Sequence, residues 1–165
     1  MKNNKFLRGS EWRRWDLHFH TKGTNKNDLF TSADFDTYDQ IDAIIDKDIN
    51  ILGFRDKFAR AVLNIVDNAV KYTPDGKKVD ISLEMVNKQA LIAIKDQGPG
   101  IKKVEISHIF DRFYRGTKTQ KIIGSGLGLS ISKAIIALHN GEIKVKSSPG
   151  HGSTFAIVVP IAPSS

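Results

Sequence analysis

Apolar residues recur with a helical period over one long stretch of the chain. Between Asp56 and Tyr72 they return every three or four positions, at Phe58, Ala61, Val62, Ile65, Val66, Ala69 and Val70. This spacing matches the 3.6-residue turn of an α-helix. Asp56 suits the N-cap or the first helical turn, and Thr73-Pro74-Asp75-Gly76 supplies turn chemistry that ends a helix. We therefore predict an amphipathic helix over 56–72.

Alternating stretches on either side of short turns predict β-strands. Val79–Val86 alternates apolar and polar residues, and Ala90–Lys95 follows after a short turn, so the two form an antiparallel hairpin. Further strands are predicted over Glu142–Ser147 and Thr154–Pro160, and Asn50–Leu52 has the composition of a strand end. We therefore expect about five strands.

Three shorter stretches complete the predicted elements. We expect a short helix to begin over Ile41–Ile45, a second over Val104–Phe110 and an amphipathic helix over Leu127–His139. Residues 21–40 are polar and turn-rich, which predicts a loop or weak order. The order of elements favours an α+β fold, a two-layer α/β sandwich. It has a mixed, mostly antiparallel sheet with about three helices on one face.

Charge divides the chain into two parts. The net charge is +7, but residues 1–48 carry eight Lys or Arg and nine Asp or Glu, whereas residues 49–165 carry seventeen and nine. The basic part suggests an anionic ligand, either nucleic acid or nucleotide phosphate, although a solvated basic surface gives the same count. There are no cysteines, so disulfides and thiolate metal sites are excluded. That fits a reducing compartment.

No part of the sequence predicts insertion into a membrane. No run of 18 apolar residues occurs, and the N-terminal residues lack the apolar core and cleavage site of a secretory signal. We therefore expect a cytoplasmic location.

One edge of the long predicted helix carries polar residues with possible chemistry. Asn64, Asn68 and Lys71 are spaced by four and three positions and share a side of the helix. They could be an ordinary exposed surface. Alternatively, an amide oxygen of Asn68 is a suitable ligand for Mg²⁺, and Lys71 would neutralise a phosphate.

An acidic residue at a strand end precedes two glycines in Asp96-Gln97-Gly98-Pro99-Gly100-Ile101. This could be only a turn. Alternatively, the glycines let a flat ring approach the backbone, and the Asp96 carboxylate accepts a hydrogen bond from the amino group of adenine. It would repel the carbonyl oxygen of guanine, so the second reading predicts adenine specificity.

Glycines at alternate positions open the last predicted helix, in Gly124-Ser125-Gly126-Leu127-Gly128-Leu129. Backbone N–H groups at a helix start suit phosphate, although the spacing matches neither the dinucleotide fingerprint nor the P-loop. The polar connector 116–123 should be mobile without ligand, and Arg115 before it could reach a terminal phosphate. The stretch Gly150–Phe155 is either a hairpin turn or places Thr154 behind Asp96.

The order of these motifs resembles the catalytic ATP-binding domain of sensor histidine kinases. The motifs are Asn64-x₃-Asn68-x₂-Lys71-Tyr72, Asp96-x-Gly-x-Gly, the aromatic stretch 109–115, Gly-x-Gly-Leu-Gly-Leu and Gly-x-Gly-Ser-Thr-Phe, over about residues 49–160. The resemblance implies a Bergerat-type ATP-binding fold and Mg²⁺-ATP as ligand, rather than nucleic acid or membrane. It also implies transfer of the γ-phosphoryl group to a histidine.

The resemblance also implies roles for individual residues. Asn68, Lys71 and Arg115 are expected to be catalytic, with Asn68 as the Mg²⁺ ligand. The residues expected to bind the nucleotide are Asn64, Asn68, Lys71, Tyr72, Asp96, Gly98, Gly100, Ile101, Phe113, Arg115, Gly124, Ser125, Gly126, Leu127, Gly128, Leu129 and Thr154.

The acceptor histidine of such kinases is not predicted in this sequence. Family acceptors precede Glu or Asp on a helix, whereas the five histidines here precede Phe19, Thr21, Ile109, Asn140 and Gly152. We therefore expect transfer to a separate helical-hairpin (DHp-type) acceptor domain, which in turn serves a response regulator. An alternative is a nucleotide-binding regulatory or interaction module without kinase activity.

The N-terminal residues carry a second, weaker resemblance. Over residues 6–58, and mainly in Trp15-Asp16-Leu17-His18-Phe19-His20-Thr21, the chain resembles the start of a PHP (polymerase and histidinol phosphatase) hydrolase. His18 and His20 would share one face of a strand, as metal ligands do. This leaves a fragment of a metal-dependent phosphoesterase as a third hypothesis. We expect two parts, an extension over 1–48 and the ATP-binding domain over 49–162.

Overall fold

The computed structural model describes residues 13–16, 41–45, 49–116 and 125–163, the first two ranges as backbone only. Seven strands and three helices follow in the order β1 to β3, α1, β4, β5, α2, α3, β6, β7. The strands are β1 (Arg13–Asp16), β2 (Ile41–Ile45), β3 (Asn50–Gly53), β4 (Val79–Val86), β5 (Gln89–Lys95), β6 (Glu142–Ser147) and β7 (Ser153–Pro160). The helices are α1 (Arg55–Tyr72), α2 (Lys103–Ile106) and α3 (Gly128–Leu138).

A five-stranded sheet forms one layer, with strand order β2-β4-β5-β7-β6. β2 lies parallel to β4 and the other neighbours are antiparallel, so the sheet is mixed and mostly antiparallel, as predicted. β5, β7 and the first five residues of β4 bury every second residue, among them Ile81, Ile92 and Ile157. That alternation gives the sheet one buried face.

Helices α1 and α3 pack on the buried face of the sheet. α1 buries the predicted apolar stripe, with Phe58, Val62 and Ile65 fully enclosed, and contacts both α3 and β5. The hydroxyl of Ser132 in α3 donates to the carbonyl of Ala61 in α1 over 2.9 Å, which fixes the two helices side by side. The predicted two-layer α/β fold is confirmed.

Two element predictions at the N-terminal side were wrong. Ile41–Ile45 is a strand, because its backbone pairs with β4 from Val79 to Leu83. β3, which we counted within the main sheet, instead pairs with β1 in a separate two-stranded sheet. The fifth strand of the main sheet is therefore β2. The predicted helix over 104–110 shortens to the four residues of α2.

Candidate functional site

A cavity of about 340 Å³ lies between α1, the loop after β5, the turn before β7 and the start of α3. Both its volume and its mixed lining suit a small organic ligand with charged groups. Twelve residues that the sequence predicted as ligand-binding line this single cavity: Asn64, Asn68, Lys71, Tyr72, Asp96, Gly100, Ile101, Arg115, Ser125, Gly126, Gly128 and Leu129.

Four predicted residues lie outside the cavity wall, and one lies outside the described residues. Gly98 is buried behind the wall, Leu127 is half-buried at the start of α3, and Phe113 is 69% exposed. Thr154 is also outside the wall, whereas its neighbour Ser153 lines it. Gly124 falls among the residues that the structure does not describe.

The polar edge of α1 forms one side of the cavity. Asn64 and Asn68 are half-buried there, and Lys71 is exposed at the last turn. The Asn64 side-chain amide donates to the carbonyl of Gly128 over 3.4 Å, so it links α1 to the start of α3. The Asn68 amide makes no hydrogen bond to any described residue. Its oxygen therefore remains available to a ligand or a metal ion, which fits the Mg²⁺ role implied above.

Asp96 is the most enclosed acid of the cavity, with 5% of its surface exposed. Its Oδ1 accepts hydrogen bonds from the backbone N–H groups of Gly98 over 2.8 Å and Ser153 over 3.1 Å. Oδ2 takes neither of these two backbone hydrogen bonds. Burial raises the pKa of Asp96 above its ordinary value, while the Gly98 and Ser153 hydrogen bonds lower it in part.

Gly98 has to be a glycine because the end of α1 lies against it. A Cβ atom there would sit 2.6 Å from the Tyr72 carbonyl oxygen and 2.9 Å from Asp96 Oδ1. Backbone cannot move aside as a flexible side chain can, so any larger residue would displace the loop. The need for glycine at position 98 therefore comes from protein backbone, and the approach of a flat ring to this loop stays a prediction.

The cavity wall also contains cations and an uncapped helix start. Lys71, Lys102 and Arg115 all line the cavity. α3 begins without a side-chain cap, so its first N–H groups have no partner in the helix. Such N–H groups and positive charges favour a phosphate or a similar anion.

Phe113 and Gly126, on either side of the predicted connector 116–123, are joined by a hydrogen bond. The N–H of Phe113 donates to the Gly126 carbonyl over 3.0 Å, and both residues have positive φ angles, +63° and +70°. A Cβ at Gly126 would lie 2.8 Å from the Phe113 carbonyl carbon. Residues 117–123 of the predicted connector 116–123 lie outside the described residues, so its predicted mobility stays a prediction.

Sequence reasoning missed several residues of the wall. Asp67, Lys102, Glu105, Tyr114 and Ser153 all line the cavity. Asp67 and Lys102 directly precede or follow predicted residues, so adjacency was a usable signal for them. Ser153 could have been found from the alternation of β7, in which Phe155 and Ile157 are buried and therefore Ser153 is as well.

The second predicted metal site cannot be located. His18 and His20 lie outside the described residues. Within the described ranges there is no group of three or more His, Cys, Asp or Glu side chains that could hold a metal ion. Among the described helices, none has the length and apolar character needed to cross a bilayer.

Comparisons with known proteins assign the chain to a family. Residues 53–163 match the family described as histidine kinase-, DNA gyrase B-, and HSP90-like ATPases. The chain therefore belongs to this ATPase family. Its relatives include the sensor histidine kinase WalK of Bacillus subtilis strain 168, at 39% identity over 119 residues, covering 70% of this chain and 20% of WalK.

Further relatives carry the same kind of name. The signal transduction histidine-protein kinase/phosphatase MprB of Mycobacterium sp. strain KMS is 38% identical over 129 residues, covering 72% of this chain and 25% of MprB. A solved mycobacterial sensor histidine kinase MprB superposes with a TM-score of 0.68 at 33% identity, covering 76% of this chain and 83% of that one. The expected histidine-kinase type of ATPase domain is confirmed. The chain spans only about a quarter or less of the length of WalK and of the MprB of strain KMS.

A second solved structure was determined with a nucleotide analogue. Full-length ShkA in complex with AMPPNP superposes with a TM-score of 0.66 at 26% identity, covering 76% of this chain and 26% of ShkA.

Proposed function

We propose that this chain binds Mg²⁺-ATP in the cavity and acts as the catalytic domain of a sensor histidine kinase. The observation that carries the proposal is the composition of one cavity wall. The enclosed acid Asp96, the cations Lys71 and Arg115 and the uncapped start of α3 all belong to it. The adenine amino group needs an acceptor and a triphosphate needs cations and N–H donors, and this one wall offers both.

At the base end, Asp96 would accept a hydrogen bond from the adenine amino group through Oδ2. The two backbone N–H groups on Oδ1 hold the carboxylate in one orientation and reduce the effect of burial on its pKa. A hydrogen bond to a charged group contributes about 1.5–3 kcal/mol. Guanine would present a carbonyl oxygen to the same carboxylate, so we expect adenine to be preferred.

At the phosphate end, the residues would act by positioning and charge neutralisation. The side-chain oxygen of Asn68 would hold Mg²⁺, which when bound neutralises phosphate charge. Lys71 and Arg115 would contact phosphate oxygens, and the N–H groups at the start of α3 would add donors. Asn64 would keep α3 in reach of α1 through its bond to Gly128.

The reaction we propose is transfer of the γ-phosphoryl group to a histidine outside the described domain. A nitrogen of that imidazole attacks the γ-phosphorus, the bond to the β,γ-bridging oxygen breaks, and ADP leaves. The acceptor would be a separate DHp-type domain, with a response regulator downstream. Because both ATP and such regulators are cytoplasmic, we propose the same location for this domain.

Transfer is tested by mixing the chain with γ-³²P-labelled ATP and DHp-type acceptor domains from several sensor kinases. We expect acid-labile label on an acceptor, and none when its histidine is replaced by glutamine. Asn68→Ala should abolish the signal. A chain that binds ATP and labels no acceptor would favour the alternative of a nucleotide-binding module without kinase activity.

A further inference from the structure

Ser147, the last residue of β6, lies directly behind the base end of the cavity. Its Oγ accepts a hydrogen bond from the N–H of Ile101 over 2.8 Å. The same oxygen lies 2.8 Å from the carbonyl oxygen of Gly152 and 3.0 Å from the Ser153 hydroxyl. Ile101 and Ser153 line the cavity, whereas Ser147 does not. One hydroxyl therefore joins two loops of the cavity wall from behind.

The position of Asp96 depends on these two loops. The N–H of Asp96 donates to the Ser153 carbonyl over 2.9 Å, and the N–H of Ser153 donates back to Asp96 Oδ1. Strand register pairs Ser147 with Ser153 across β6 and β7. A shift of Ser153 would therefore move the carboxylate that faces the ligand.

The Ser147 hydroxyl is both an acceptor and a donor at this place. Ser147 Oγ accepts from one backbone N–H and has a single proton to donate to Gly152 or Ser153. Alanine would leave the Ile101 N–H and the Gly152 carbonyl without this partner. A backbone hydrogen bond from the Gly150 N–H to the Pro99 carbonyl over 2.8 Å also links the two loops.

We propose that Ser147 is a positioning residue for recognition of the nucleobase. Its hydroxyl fixes the loop after Asp96 against the turn before β7, and so aims Asp96 at the amino group that distinguishes adenine. This inference rests on the proposed function, because it assumes that an adenine nucleotide occupies the cavity.

The test compares Mg²⁺-ATP with Mg²⁺-ITP, whose base carries a carbonyl oxygen in place of the amino group. Affinities are measured by calorimetry for the wild-type chain, Ser147→Ala, Ser147→Thr and Ser148→Ala. Ser148 is the matched control, because it is the next residue and its exposed hydroxyl makes no hydrogen bond to any described residue.

We expect Ser147→Ala to weaken ATP binding about tenfold, the loss typical of one or two hydrogen bonds. Its preference for ATP over ITP should shrink, while Ser147→Thr and Ser148→Ala keep the wild-type preference. A purely structural role of Ser147 would lower the melting temperature and leave the ATP-to-ITP ratio unchanged.

The outcomes separate this inference from the proposed function. A wild-type chain that binds neither nucleotide overturns the proposed function. If the wild type prefers ATP and Ser147→Ala keeps the same ratio, only the positioning role is overturned. Should Ser147→Ala not fold, Ser147→Cys retains the size with a weaker donor, and an unchanged ratio in that variant overturns the inference equally.

Discussion

His139 Nε2 accepts a hydrogen bond from the backbone N–H of Phe54 over 3.0 Å and so ties the end of α3 to the start of α1. The other ring nitrogen, Nδ1, lies 2.7 Å from the Ile135 carbonyl oxygen and donates to it. The ring is 2% exposed and packs edge-on against Phe54 and Phe58. Both bonds require the neutral imidazole, with its proton on Nδ1.

The stability of the domain should therefore fall in mild acid. Burial lowers the pKa of His139 below its ordinary value of 6.5, and the charge of nearby Lys57 acts in the same direction. The unfolded chain then binds a proton before the folded one does. The contribution of neutral His139 to stability is complete above the pKa that this residue has in the unfolded chain. It is lost as the pH falls from there towards the lower pKa of the folded state.

Urea denaturation at about pH 8 and about pH 5.5 measures this effect. The free energy of unfolding of the wild type should be smaller at the lower pH than at the higher one. The difference should be smaller for His139→Gln, because glutamine does not titrate. His151→Gln is the control, since His151 is exposed on the turn before β7. Equal losses in the wild type and His139→Gln would contradict the assignment.

The His139 ring also leaves no space for a side chain at Gly53. A Cβ atom at this position would overlap the imidazole of His139, at both Cδ2 and Nε2. We expect Gly53→Ala to cost about 1–3 kcal/mol, the usual range for overpacking. In a His139→Ala background the added methyl meets no ring, so the cost should be clearly smaller. Urea denaturation of the four proteins in this double-mutant cycle gives the coupling, and additive losses would rule out the contact.

Lys71 should act on phosphates and not on the base. We expect Lys71→Ala to weaken Mg²⁺-ATP binding by about tenfold, and adenosine binding hardly at all, because adenosine carries no charge to neutralise. Lys78→Ala, an exposed lysine outside the cavity wall, is the control. Equal losses of affinity for ATP and adenosine would contradict a role of Lys71 at the phosphates.

Asp96→Asn tests the hydrogen-bond direction at the base end. The side-chain oxygen can still accept from Gly98 and Ser153, so the fold should persist. The amide nitrogen would then face the ligand as a donor, which mismatches the adenine amino group and suits a carbonyl oxygen. We expect ATP affinity to fall by about tenfold or more, which corresponds to the loss of roughly one hydrogen bond to a charged group. The ratio of ATP affinity to ITP affinity should also fall. Competition calorimetry measures that ratio, and a ratio as in the wild type would contradict the role.

The parts of the fold that local sequence determines were predictable. α1 follows from its apolar stripe, and the boundaries of β4 and β6 agree with prediction because alternation and turn residues define them. β2 was not predictable in this way. Its five residues take the extended form through pairing with β4, which lies more than thirty positions further along the chain. A short apolar run does not by itself indicate whether it will pair with a strand far away in the sequence.

The site was predictable where function depends on residue type and spacing. Asn68, Lys71, Asp96 and Gly126 all reach one cavity, although they come from distant parts of the chain. Thr154 is not part of the cavity wall, whereas its neighbour Ser153 is. In β7 Ser153 lies on the buried side with Phe155, and Thr154 lies on the other side of the sheet. A shift of one position in a strand moves a side chain to the opposite face.

The central claim is that Asn68 and Asp96 serve the same bound nucleotide. Calorimetric titration of Mg²⁺-ATP into the wild type, Asn68→Ala and Asp96→Ala tests it most directly, with circular dichroism to verify that each variant is folded. We predict one ATP per chain for the wild type and no measurable binding for either folded variant. Wild-type affinity in both folded variants would contradict the account.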